Sequence, residues 1–154
     1  MKSVTLPTVI ATLMIALGAP VFAGGDAAAG QKVFNKCKSC HTISNGDEVI
    51  VKGGKVGPNL YGVIGRQAGT FKGFNYYDSI IAAGQAGLVW DEEKIAKWVQ
   101  NPKAFLKDYL NDPKAHSAMT FRVRKGGEDV AAFLVSVGPQ PEPEMPGKSA
   151  DTTN

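Results

Sequence analysis

Apolar residues in this chain fall into short runs of helical period separated by glycine-rich stretches. Behind Asp26, a side chain suited to capping a helix, Ala29, Val33, Phe34 and Cys37 share one face, which predicts a first helix that delivers the cysteines. From Thr42 to Thr70 glycines recur too often for a helix interior, and no sustained alternation marks a strand, so ordered loop is expected. A short helix is expected over 75–83, ending near Gly84. Asp91 caps a clearer one, with Glu92 and Glu93 favouring its positive end and Ile95, Trp98 and Val99 forming its buried face. Asn101-Pro102 closes that helix and opens the next, which runs through Phe105 and Leu106 to Leu110. The last follows Gly126-Gly127, with Val130, Phe133, Leu134 and Val137 on one face, and Gly138-Pro139 stops it. Without a convincing strand pair, the predicted class is all-α.

The two ends differ from the middle. Lys2 precedes an apolar stretch from Leu6 to Leu17, then Pro20 and Val21-Phe22-Ala23, the pattern of a secretory signal. Pro7, Gly18 and Pro20 leave too short a clean run for a membrane anchor, so residues 1–23 are expected to be removed and the protein to work in a bacterial periplasm. From Pro139 to Asn154 the chain is proline-rich and polar, acidic on balance, and expected to be disordered. That leaves residues 24–138 as one folded domain, large enough for a single core.

Composition narrows the chemistry. The 154 residues are 44% hydrophobic and 20% charged, which argues against disorder and a polytopic membrane protein. With 17 Lys plus Arg against 14 Asp plus Glu, the net charge of +3 is too small to point to nucleic acid. Two cysteines and two histidines are the main soft metal ligands. Cys37-Lys38-Ser39-Cys40-His41 is a C-x-x-C-H sequence, the attachment signature of one covalent haem c. The spacing lets two thiols one turn apart bond the porphyrin edge while the next residue, His41, reaches the iron. A thiol redox motif would call for a βαβ context, a zinc site for two more well-placed ligands, and the remaining reading is a plain disulfide. Met119 is the one methionine between the signal and the tail, and His116 stands three residues before it; by pattern alone either could occupy the second axial position.

Beyond that motif, Gly25-Asp26, Gly30, Phe34, Gly57-Pro58-Asn59-Leu60, Gly65-Arg66, Phe74-Asn75-Tyr76, Trp90, Asn101-Pro102 and Met119-Thr120-Phe121 follow one another in an order that resembles a class I cytochrome c. The similarity is greatest to the bacterial cytochrome c2 branch and spans essentially all of Gly24 to Gly138. It implies the cytochrome c fold, helices and ordered loops wrapped around one covalently attached haem, with Gly30 letting the first helix cross the last beside Phe34 and Phe133. It also implies His41 and Met119 as axial ligands, the Pro58 carbonyl as acceptor of the proximal imidazole N–H, and Arg66, Tyr76 and Trp90 as partners of a haem propionate. Trp98 stands where relatives often carry a tyrosine near the sulfur. The stretches from His41 to Pro58 and from Pro102 to Met119 are longer than in the mitochondrial form.

An iron closed on both faces can only gain and lose an electron, so the function expected is a soluble one-electron carrier, not an enzyme. Lys36 and Lys38 flank Cys37, while Arg122, Arg124 and Lys125 follow Met119. These two basic clusters are expected to dock a monomeric protein transiently on acidic membrane partners: a quinol–cytochrome c oxidoreductase as donor, and an oxidase, reductase or photosynthetic reaction centre as acceptor. The competing classes are a haem enzyme or gas-binding cytochrome with a displaceable sixth ligand, and an exported protein without haem.

Overall fold

Asp26 caps the first helix as expected, its carboxylate accepting the backbone N–H groups of Ala28 at 2.8 Å and Ala29 at 3.2 Å. The computed structural model describes residues 24–139; the expected signal and nearly all of the expected tail lie outside the described residues. In chain order the elements are α1 (Ala27–Phe34), a 3-10 turn (Cys37–Ser39), β1 (Ile43–Asn45), β2 (Glu48–Val51), α2 (Asp78–Gln85), α3 (Glu92–Gln100), α4 (Pro102–Leu110) and α5 (Gly127–Ser136). The caps behave as read from the sequence: the Asp91 side chain accepts Lys94 N–H at 2.7 Å, and Asn101 accepts Ala104 N–H at 3.2 Å ahead of Pro102.

Three expectations need correction. First, α1 stops at Phe34, and the cysteines sit on the separate 3-10 turn; Lys36 N–H bonds the carbonyl of Val33, tightening the chain before Cys37. Second, the helix expected over 75–83 is shifted to Asp78–Gln85, because Tyr77 is extended and Gly84 lies inside the helix. Third, part of the stretch expected as ordered loop is a strand pair: residues 43–51 form an antiparallel hairpin with Ile43 opposite Val51 and Asn45 opposite Glu48, a small sheet in a domain that is mostly helical as its predicted class requires. A bulge between Ile43 and Ser44 breaks the two-residue period, and β2 leaves Val49 and Ile50 exposed, so strict alternation never appears in the sequence. The hairpin occupies the first of the two long stretches.

The terminal helices and α3 make the frame. α5 packs against both α1 and α3, with the Phe34 and Phe133 rings 5.3 Å apart at the first contact. Phe34, Ile43, Leu88, Leu106 and Val130 are among the fully buried side chains around which these elements close. At the crossing of α1 and α5, a Cβ on Gly30 would stand 1.9 Å from the carbonyl oxygen of Asp129, so only glycine permits the approach. Asp129 in turn accepts the Asp26 N–H at 2.8 Å, fastening the start of the domain to its last helix.

Gly30→Ala is therefore expected to lower stability by about 2–3 kcal/mol despite alanine's better helix propensity, because backbone must separate from backbone. The denaturation midpoint of the haem-loaded protein measures it, and an unchanged midpoint would show that the crossing does not depend on this contact.

Candidate metal centre

The turn after α1 gathers the attachment motif. The carbonyl of Cys37 accepts both Cys40 N–H at 3.1 Å and His41 N–H at 2.9 Å, curling the five residues round one oxygen. Both cysteines are free thiols, Cys37 buried and Cys40 half-buried. Burial, with the neighbouring Cys40 adding to it and Lys36 opposing, pushes the Cys37 thiol up to about 11, so it is neutral at pH 7.

These residues line a cavity of about 500 Å³, within the roughly 300–1,000 Å³ of small-molecule sites. His41 stands in its wall with Nδ1 2.8 Å from the Pro58 carbonyl oxygen. Burial pulls its pKa below the ordinary value, with the Pro58 bond acting the other way, so the imidazole is neutral and Nε2 is the nitrogen left to coordinate. Gly57 supports the ring from behind: a Cβ there would lie 2.2 Å from His41 Cε1. Asn59 fixes the next residue, its amide bonding Ser44 N–H, Ser44 carbonyl and Tyr61 N–H. This role of Asn59 depends on β1 folding beside it, so the motif alone does not reveal it.

The polar residues expected at a propionate come together as well. Gly65 N–H bonds Trp90 carbonyl at 2.7 Å and Trp90 N–H bonds Arg66 carbonyl at 2.9 Å, so the 65–68 and 88–90 segments run side by side. Arg66, Tyr76 and Trp90 all line the cavity. The Arg66 guanidinium already donates to the carbonyls of Asn59 at 3.0 Å and of Tyr61. Burial pushes the Tyr76 phenol up, opposed by its bond to the Phe71 backbone and the Arg66 charge, so it remains a neutral donor. Trp90, Trp98 and Phe105 form an aromatic cluster, with Trp98 also on the cavity wall.

Met119, half-buried, lines the same cavity, and so does His116. Of the basic residues read as a docking surface, Lys36 lies at the cavity, and Arg122, Arg124 and Lys125 are exposed in the chain just beyond Met119 and Phe121. Lys38 lines a second cavity of about 270 Å³ between α1 and β2 instead.

Comparison with known proteins now decides the family: the sequence model of cytochrome c matches residues 27–112. The chain belongs to the cytochrome c family. It is 58% identical over 134 residues to cytochrome c-551 of Roseobacter denitrificans, covering 86% of this chain and 94% of that one. It is 57% identical over 136 residues to cytochrome c2 of Rhodobacter capsulatus, covering 88% and 96%. The structure of cytochrome c2 from Rhodobacter capsulatus superposes with a TM-score of 0.72 at 60% identity, covering 73% of this chain and 98% of that one. Ferric cytochrome c-550 from Paracoccus versutus gives 0.72 at 45% identity, covering 75% and 99%.

This cytochrome is an electron carrier with one haem c attached through Cys37 and Cys40. The residues fit that group: two unpaired thiols, a neutral imidazole and a thioether share one cavity, and Gly57 keeps the space behind His41 that any larger side chain would take.

Two results are expected. Cys37→Ala and Cys40→Ala should each leave a single thioether, so the reduced alkaline pyridine adduct absorbs at longer wavelength than that of the wild type; an unshifted band would contradict two-point attachment. Gly57→Ala should displace the His41 ring from Pro58. With His41 as an iron ligand, disturbing its hydrogen-bond partner would cost about 10–100-fold in metal affinity, so protons would displace it at a pH about 1–2 units higher, read from loss of the low-spin spectrum on acid titration.

Proposed function

We propose that this cytochrome is an exported periplasmic carrier whose iron is held by His41 and Met119, moving single electrons between membrane complexes. The carrying observation is that Met119, the one methionine among the described residues, shares a cavity wall with His41 and both thiols. When bound, haem supplies a one-electron couple. His41 offers a neutral nitrogen whose orientation Pro58 fixes, and Met119 offers a soft neutral sulfur that favours the lower charge on iron. Buried Trp90, Val63, Ile95 and Leu106 line the cavity with apolar surface, which also penalises the more highly charged state. Arg66, Tyr76 and the Trp90 ring N–H are the donors available to a carboxylate that would otherwise be buried without partners. Residues 1–23 act as the export signal.

Lys36 carries positive charge at the cavity, exposed Arg122, Arg124 and Lys125 follow its lining residues Met119 to Phe121 in the chain, and Lys38 lines the second cavity. This suits brief docking of a monomer on acidic membrane partners, a quinol–cytochrome c oxidoreductase on one side and an oxidase, reductase or reaction centre on the other. A second reading has one observation in its favour: His116 lines the same cavity and is the alternative sixth ligand.

Ferric wild-type protein should show the long-wavelength sulfur-to-iron absorption, kept in His116→Ala and lost in Met119→Ala, whose reduced form should bind carbon monoxide rapidly. If the absorption survives in Met119→Ala, sulfur ligation by this residue is wrong. Reversing charge in a Lys36→Glu, Arg122→Glu double variant should slow reduction by quinol–cytochrome c oxidoreductase about tenfold at low ionic strength and flatten its salt dependence. Unchanged kinetics would remove the docking assignment.

A further inference from the structure

The segment that carries Met119 has no regular structure. Between the end of α4 and the start of α5, residues 111–126 run over the cavity, and Asn111 leaves α4 in a left-handed conformation at φ 49°. Among the described residues, the backbone from Ala115 to Val123 is tied to other elements by two hydrogen bonds. Val123 N–H donates to the Val99 carbonyl of α3 at 2.7 Å. His116 N–H donates to the Ser79 hydroxyl of α2 at 3.1 Å. One tie lies three residues before Met119 and the other four residues after it.

Ser79 is unusual in its own right: it is the buried polar side chain of the described core, 9% exposed. Its oxygen accepts the backbone N–H of His116 and also lies 3.4 Å from His116 Nδ1, to which its proton is free to donate. The helix beneath it is firmly seated. Gly84 of α2 meets Ala68 so closely that a Cβ would stand 2.0 Å from the Ala68 carbonyl oxygen, and the Gln67 side chain donates to the Gly84 carbonyl at 2.7 Å. A fixed helix thus holds one end of an otherwise irregular segment through a single hydroxyl.

We propose that Ser79 is a positioning residue for the sulfur ligand: its hydroxyl pins the Met119 segment to α2 and opposes displacement of the thioether by other ligands. The inference rests on Met119 as sixth ligand. With the pin absent, the segment can swing about the Val123 tie at lower cost, and a competing donor meets a more accessible iron. The net worth of one hydrogen bond sets the scale at about three- to tenfold in the equilibrium between closed and open segment.

Imidazole, a neutral nitrogen donor, is the probe, titrated into ferric haem-loaded protein while the sulfur-to-iron absorption is followed. Ser79→Ala is expected to bind imidazole about three- to tenfold more tightly than wild type. Ser79→Thr retains the hydroxyl and should stay near wild type, and Ser79→Cys, similar in size with a weaker acceptor, should fall between. Asp26→Ala removes the cap of α1 far from the pin and controls for general destabilisation, so its imidazole affinity should not change. Equal imidazole affinity in Ser79→Ala and wild type, or the same gain in Asp26→Ala, overturns the pin while Met119 ligation stands. Absence of the sulfur-to-iron absorption from wild type overturns both.

Discussion

The rest of this structure depends on a neutral imidazole held still in an apolar wall. His41 follows Cys40 directly, so its backbone is fixed by the tight turn on the Cys37 carbonyl, and its ring is fixed independently by Pro58 at 2.8 Å. Neither restraint suffices alone. The turn sets where the Cα lies, and the carbonyl sets which nitrogen carries the proton, leaving the other as a donor to metal. Burial then keeps the ring uncharged at neutral pH.

Holding that ring requires other chain segments to come closer than a side chain would allow. Gly57 backs the imidazole, and Asn59 ties the following residues to β1, so Pro58 is gripped from both sides. The same steric logic acts on the larger scale at Gly30, where α1 meets the Asp129 carbonyl of α5. Packing of the terminal helices and placement of His41 are thus linked, because the turn bearing the cysteines follows α1 after only two residues. A domain of this size has one core, and here Cys37, Val63, Trp90, Ile95 and Leu106 belong both to that core and to the cavity wall.

The sulfur side is built on a different principle. His41 is clamped by short-range geometry, whereas Met119 sits in an irregular segment held to the body at Ser79 and Val99. The two candidate ligands are therefore restrained unequally, one by its own neighbours in sequence and the other by distant helices. Exchange of a ligand, where it occurs, starts from the less restrained side.

Much of this was legible in the chain. Caps at Asp26, Asp91 and Asn101 and the apolar faces of α3, α4 and α5 rest on local propensity and period, and these elements lie where the pattern puts them. The C-x-x-C-H motif was equally readable, since its chemistry needs only adjacent residues. The hairpin was not, although Gly46-Asp47 between Ile43 and Val49 is a turn signal, with Gly46 at φ 57°; the bulge and exposed β2 hid the alternation. Nor could sequence find Ser79, a single serine in the first turn of a helix, whose importance exists only because residue 116 folds back on it. The sequence by itself determined the attachment chemistry, the helices and the candidate ligands, because each depends on residues within a turn or two of one another. Only the tertiary structure decided which polar groups meet across the cavity and what restrains the sulfur, because those contacts join residues up to tens of positions apart, and no local pattern encodes a distance that the whole packing sets.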